Sequence, residues 1–406
     1  MNKLEVIDIY AARLMMIGFF LPMKWQATSI ILACIYFVTK ALLQRSQVQL
    51  QQILWAVILG SGFLLYIGAI PLTPVADRSV LMLLVGRRMA LLLVPIFFAI
   101  FIPRYGGVLL RELKFFVYGC IVTCIVANAA FIYQVYFTLH PVMTISHVAY
   151  RIFFEAFTGL HPTYISMYLA FAICILLCGF VPLGKLSKFV LLYLLLIFLL
   201  ALLAKSPLIA VLIIFVHYAY LHRQLLFRYK ILITTLLAAV LAGCFFIPFI
   251  GQRAGEVLSF FGTKAPGQIT DNSVYTRKLI WNTDIGLLKQ YWQTGVGPAR
   301  LLRMLDYRYL FYSISHNSAT GYYDPHNEYL WEWLSFGIIG IIITVGLLVV
   351  HFIKAIKSKN HLYLYLLLIL VITFSTESVL SRQQGILFYA VFTSMFFFYK
   401  NDSSKV

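Results

Sequence analysis

Lys188 to His222 reads KFVLLYLLLIFLLALLAKSPLIAVLIIFVHYAYLH. A membrane-spanning helix needs about 20 apolar residues, so this run is too long for one span. Its only break is Ala204-Lys205-Ser206-Pro207. A lysine is costly at the bilayer centre, and proline suits a first helical position. The stretch therefore reads as two helices, 187–204 and 206–221, meeting in a tight turn at the membrane surface.

The same reading extends along the chain. Apolar runs bounded by charge predict spans at 9–23, 27–43, 53–71, 80–103, 115–137, 162–182, 187–204, 206–221, 230–250, 328–351, 361–377 and 384–399. Of the 406 residues, 62% are hydrophobic and 11% are charged, against about 25% charged in a soluble domain. So few charges cannot cover a water-facing surface. The spans are also too long and continuous for a β-barrel. The fold class is an all-α polytopic integral membrane protein of about twelve helices.

The formal net charge is +18, which in a soluble protein would suggest nucleic acid. Here most cations flank apolar spans, and no basic patch with interleaved aromatics lies outside them, so no nucleic-acid partner is expected. Lys40 and Arg45; Arg104, Arg111 and Lys114; Lys185 and Lys188; Arg223, Arg228 and Lys230; and Lys354, Lys357 and Lys359 fall on one side of the predicted topology. By the positive-inside rule that side is cytoplasmic, with both termini. The start, with Glu5, Asp8 and Arg13 ahead of a short apolar run, is expected to stay as an anchor. Cys34, Cys120, Cys124, Cys174, Cys178 and Cys244 all lie in apolar runs without His or carboxylate neighbours, which predicts neither a disulfide nor a structural zinc.

Three regions follow: residues 1–250 with spans one to nine, 251–327 as a long outer loop, and 328–406 with the last three spans and a short cytoplasmic tail. The loop is polar, mixed in charge and rich in Tyr and Gly, as in GYYDPHNEYL, and can fold into a helical cap. A shorter outer connection, 138–161, carries His140, His147, Arg151, Glu155 and His161.

The chemistry concentrates on this outer face. His316 and His326 lie ten residues apart in the loop. His326 directly precedes the tenth span, where a helix dipole would lower its pKa and keep it neutral as a general base. The other reading is an N-capping segment, with Asn327 or Asp324 as the cap. Arg277, Arg253, Arg300, Arg303 and Arg308 can clamp phosphates through planar bidentate contacts, or they can face solvent and lipid headgroups. Lys205, between apolar helices, is more telling than an exposed lysine. Arg87 and Arg88 interrupt the fourth span, either snorkelling or lining a cavity. The first outer loop has no D-x-D or E-x-D pair for a divalent metal, and the chain lacks H-E-x-x-H, G-x-x-x-x-G-K-[ST] and G-x-S-x-G. A cationic site without metal carboxylates suggests that Arg and Lys themselves neutralise a phosphate leaving group.

The stretch Asp324-Pro-His-Asn-Glu-Tyr-Leu-Trp-Glu-Trp-Leu-Ser-Phe-Gly-Ile-Ile-Gly340 resembles the H-N-x-x-L…G-x-x-G signature of the O-antigen ligase/polymerase superfamily. Arg277 to Trp281 is similar to its R-x-x-x-W element, Gly295-Val-Gly297 to its G-x-G turn, and Leu203-Ala-Lys-Ser206 to its Ser-Arg or Ser-Lys position. His161-Pro-Thr-Tyr164 is similar to the H-P-[ST]-Y element of one branch. The resemblance covers roughly residues 150–350.

That resemblance implies a metal-independent, inverting glycosyltransferase of the GT-C type, without a cofactor, in the bacterial inner membrane with its site on the periplasmic face. It implies a glycan donor on undecaprenyl pyrophosphate and a lipid A–core acceptor, in lipopolysaccharide biosynthesis, with membrane lipids around the spans. By motif, His326 matches the catalytic His, Arg277 the loop Arg, and Lys205 the basic residue at the helical turn. Here a Lys stands where Arg is commoner, giving a point charge in place of a fork. Arg151, His161, Arg253, Arg300, His316 and Asn327 are the further substrate-binding candidates. Within the superfamily the alternatives are an O-antigen polymerase or a protein O-oligosaccharyltransferase. A polysaccharide or lipid transporter is the reading from another class, and would be expected to place charges along a central path.

Overall fold

The computed structural model describes residues 3–45, 48–138, 147–224, 273–316 and 323–399. Among these the chain is helical, with no strand. The predicted span 230–250 and Arg253 lie outside the described residues.

Helices α1 (Lys3–Ile17) and α2 (Met23–Leu43) form a hairpin. Helices α3 (Leu50–Leu59) and α4 (Ser61–Gly68) follow, bent by 62° at Gly60 in place of the straight span expected at 53–71. Helix α5 (Arg78–Arg88) leads into α6 (Ala90–Tyr133). Then come α7 (His147–Thr158) and α8 (Pro162–Leu177), bent by 81°, and α9 (Lys185–Leu202) and α10 (Lys205–Leu221). The last six are α11 (Ser273–Tyr291), α12 (Pro298–His316), α13 (Glu328–Phe336), α14 (Ile338–Lys357), α15 (His361–Phe374) and α16 (Gln383–Phe398). By length and composition four helices can cross a membrane, or six if each bent pair is one span.

The expected spans 80–103 and 115–137 fall within a single helical run, because polar residues interrupt hydropathy without ending a helix. The run nevertheless bends back on itself. Leu91 shares a cavity with Tyr389 of α16, and Phe116 packs on Phe388 and Phe392 of the same helix. Between them Gly106 abuts Tyr399 at the far end of α16. A straight helix from Leu91 to Phe116 would be about 37 Å long and could not meet one level of α16 twice. Pro103, which removes a backbone donor, and Gly106-Gly107 sit at the reversal.

The turn between α9 and α10 is where the apolar run predicts it. Leu203 takes a left-handed conformation (φ +45°) as the C-cap, and Lys205 opens α10. Pro207 is thus the third helical residue, two later than expected, still within the first turn where no N–H is owed.

Two apolar cores result. The larger, centred on Phe19, Phe116, Tyr168, Phe171, Phe388 and Phe392, binds the long helices together. The smaller joins α11 and α12 to α4, α5 and α13 through Tyr66, Leu81, Ile280, Leu287, Leu301, Leu305 and Trp331. Helices α11 and α12, from the stretch 251–327, thus cap this end of α4, α5 and α13.

The cap is also stitched by its backbone. Val296 N donates to Leu334 O (2.8 Å), Gly297 N to Ser335 O (3.1 Å) and Ile338 N to Gln293 O (3.2 Å). The predicted span 328–351 is broken here, because Gly337 has φ +63° and separates α13 from α14. A Cβ on Gly295 would come within 2.6 Å of Gly337 N and Ser335 O, and one on Gly337 within 2.0 Å of Gln293 O.

Candidate active site

Asn327 caps α13: its side-chain oxygen accepts from Leu330 N (3.0 Å), while its amide donates to Ser375 O (3.0 Å). Both functions of this predicted substrate contact are thus used within the protein, and they bind the α15–α16 connection to the start of α13. His326, one residue earlier, has φ +44°, a conformation that costs a bulky residue energy. Its backbone N–H is held by Asp324 Oδ1 (2.9 Å).

The sequence reading did not single out the group that organises the site. Glu377, in the turn after α15, places Oε2 3.1 Å from His326 Nδ1 and Oε1 2.7 Å from an Arg277 terminal nitrogen. Arg277 and His326, singled out separately, are therefore joined on one carboxylate. Their bonds to Glu377 hold its carboxyl down at about 2 against the opposing effect of burial. An ionised Glu377 requires that His326 donate from Nδ1, which leaves Nε2, 3.6 Å from Asp324 Oδ1, as the nitrogen that can take a proton. Burial lowers the His326 pKa, but the bond and charge of Glu377, with Asp324 nearby, outweigh it and raise the pKa above its ordinary value. This reverses the expectation from the helix dipole, since a carboxylate in contact outweighs partial charges.

His161 lies beside this centre at the bend between α7 and α8. Its Nδ1 accepts from Thr163 N (3.3 Å) and caps α8, so the neutral ring carries its proton on Nε2, 3.9 Å from Glu155 Oε2. Burial is the main reason its pKa falls to about 4; Arg382, Arg151 and His326 lower it further and Glu377 opposes them. His161 thus adjoins the His326–Glu377 pair, and Arg151 lies within reach of His161. Arg382 in turn pairs with Glu155 at 3.5 Å.

Lys205 is placed by helix packing. The α10 helix lies along α15, with His217 against His361 and Tyr365 near the start of α15. Lys205 is the first residue of α10, twelve positions before His217, so it stands at the end of α10 away from these contacts with the start of α15. Lys40, Lys188 and Lys354 contact Asp8, Leu177 O and the Phe397 ring at the other end.

The remaining cations divide differently. Arg300 and Arg303 of α12 both pair with Asp77, at 3.0 and 2.7 Å, fastening the cap to the α4–α5 connection. Arg308 donates to Gln290 (2.8 Å). None of the three is brought to the Glu377 cluster. His316 ends α12, and its side chain lies outside the described residues, as does Arg253.

Arg88 is neither snorkelling nor exposed. It is 2% exposed and pairs with Glu332, with Glu328 3.8 Å away. Tyr66 donates to the same Glu332 oxygen (3.0 Å), and Glu328 Oε2 accepts from Leu380 N (2.7 Å). A glutamate pair four residues apart on α13 is thereby tied to α5 and to the α15–α16 connection, which fixes the helix that His326 precedes. Arg88, Glu332 and Leu91 also line a cavity of about 30 Å³, so lining a cavity is the expectation met.

Glu377 left one signal in the sequence: it is among only 14 acidic residues, set in a short polar break between apolar spans. Asp284, also unremarked, is a fully buried carboxyl on α11.

Residues 189–345 match the family model described as O-antigen ligase. No curated protein matches the chain. The match covers less than half of the chain and agrees with the resemblance of its motifs to the O-antigen ligase/polymerase superfamily. It covers Lys205, Arg277 and His326, while Glu377 and His161 lie outside it.

Proposed function

We propose that the chain is an O-antigen ligase: a metal-independent, inverting, twelve-span glycosyltransferase of the GT-C type. It transfers polysaccharide from undecaprenyl pyrophosphate to a sugar hydroxyl of lipid A–core, on the periplasmic face of the inner membrane. The observation that carries this reading is Glu377 joining His326 and Arg277. A base and a cation held on one carboxylate are what attack on a glycosyl diphosphate requires.

In this mechanism His326 Nε2 takes the proton of the acceptor hydroxyl. The acceptor oxygen then attacks the anomeric carbon from the face opposite the diphosphate. The glycosidic bond to phosphate breaks, its electron pair leaves on the lipid diphosphate, and configuration inverts. Arg277, with a guanidinium edge free of Glu377, and Lys205 neutralise the leaving group. Glu377 keeps the ring of His326 in one tautomer and supports the imidazolium that forms. The concentration of cations at the opposite end of the bundle supports the orientation.

The test is the glycolipid profile of cells lacking the chain. Loss of all polymer on lipid A, with lipid-linked polymer accumulating, is the expected result. Capping by a single repeat unit would mark a polymerase instead, and an unchanged profile would overturn both.

A further inference from the structure

Arg277, Trp281 and Asp284 stand at i, i+4 and i+7 on α11, so they share one face of the helix. Asp284 is 0% exposed, and among the described residues neither carboxyl oxygen has a hydrogen-bond partner. The same holds for the buried Trp281 Nε1 and Arg277 Nε. Three neighbouring side chains on one face thus hold four buried polar atoms without a partner among the described residues, while a terminal nitrogen of Arg277 holds Glu377. Burial, with Asp324 nearby, pushes the Asp284 carboxyl up to about 8.

An orphaned carboxyl is costly to bury. Its neighbours one turn away on α11, Ile280 and Leu287, belong to an apolar core that a leucine would suit better. A group kept at such a cost beside the reacting centre is one whose partner arrives with the ligand. Asp284 stands two turns along α11 from Arg277, which holds Glu377.

We propose that Asp284 is a glycan-binding residue: its carboxyl hydrogen-bonds a hydroxyl of the donor sugar, which lies along the Arg277–Trp281–Asp284 face with its diphosphate toward Arg277. Seven residues of helix rise about 10 Å, which leaves room for a sugar ring beyond the diphosphate. The Trp281 indole supplies a donor and a flat apolar surface for the ring. Binding has to part the cap side chains that cover Asp284. The inference rests on the glycosyltransferase reading above.

The test uses the full chain in detergent with lipid-linked glycan extracted from membranes of cells that lack it. In Asp284→Asn the KM for this donor should rise about tenfold, the loss of one hydrogen bond, and it should rise further in Asp284→Leu. The acceptor KM and the pH profile should not move. Without ligand, the Asp284→Leu thermal midpoint should equal or exceed wild type. An unchanged donor KM, or a lowered midpoint in Asp284→Leu, overturns the inference. A wild-type chain that transfers nothing defeats the functional reading instead. In that case donor-induced thermal stabilisation decides: it should be present in wild type and lost in Asp284→Leu, and equal shifts in both, or none, reject the subsite.

Discussion

Glu377 Oε2 lies 3.1 Å from His326 Nδ1, while the other oxygen of the same carboxyl binds Arg277 at 2.7 Å. The His326 ring and the Arg277 guanidinium therefore cannot shift independently. The group that couples them comes from the turn between the last two helices, outside the segment that matches the family model.

His326→Ala should abolish transfer while the protein still folds. Loss of a general base costs about 10²–10⁴-fold. Single-turnover assays with purified lipid-linked donor measure it, and near-normal turnover would reject His326 as the base.

Glu377→Gln should shift the pH dependence. A raised His326 pKa means that the base becomes neutral, and kcat/KM climbs, at higher pH than for an ordinary imidazole. Removing the anion that raises it moves the acidic limb to lower pH while reducing the maximal rate. A profile of kcat/KM from pH 5 to 9 reads both effects. An unmoved limb would mean that Glu377 does not act on His326.

Stability should also depend on pH with a defined sign. Glu377, depressed from 4.5 to about 2, contributes fully above pH 4.5, and its contribution is lost as pH falls toward 2. Asp284, raised from 3.8 to about 8, is neutral at no cost below pH 4 and becomes increasingly costly up to pH 8. The thermal midpoint of Asp284→Leu relative to wild type should therefore widen in the variant's favour between pH 4 and 8. A constant difference would reject the buried neutral carboxyl.

Among the cations, Arg277→Ala and Lys205→Ala should each reduce transfer strongly, and Arg277→Lys should recover part of it, as a point charge replacing a fork. Lys205→Arg should be tolerated. Arg308→Ala, which loses only an exposed bond to Gln290, should keep most activity. Equal losses in all three alanine variants would point to a diffuse cationic surface.

Arg88→Ala should destabilise the protein by about 3–5 kcal/mol, because it leaves buried carboxylates unpaired. Chemical unfolding in detergent measures this. A loss below about 1 kcal/mol would place Arg88 among surface pairs.

Much of this was legible in the sequence, and the limits have physical causes. The α9–α10 turn could be read because a lysine and a proline in an apolar run leave few alternatives. His326, Arg277 and Lys205 could be read because their motifs are local. Glu377 could not, since its role comes from meeting residues 51 and 100 positions away. Arg300 and Arg303 look the same as Arg277 in the sequence; only the position of Asp77 marks them as fasteners. The break at Gly337 is hidden because the apolar run continues across it, and hydropathy carries no information about φ.

The interlocked glycines at 295 and 337 give the cap a genetic signature. A side chain on Gly295 would need the space of the Ser335–Gly337 backbone, and one on Gly337 the space of the Gln293–Thr294 backbone, so the two segments form a single steric unit. A substitution at either should exclude the other strand from its seat, and adding the second should do little further harm. Suppressors should then arise in the Gln293–Gly297 and Ser335–Ile338 segments, where the chain can rebuild the gap, and not around the chemistry that the seam holds in place.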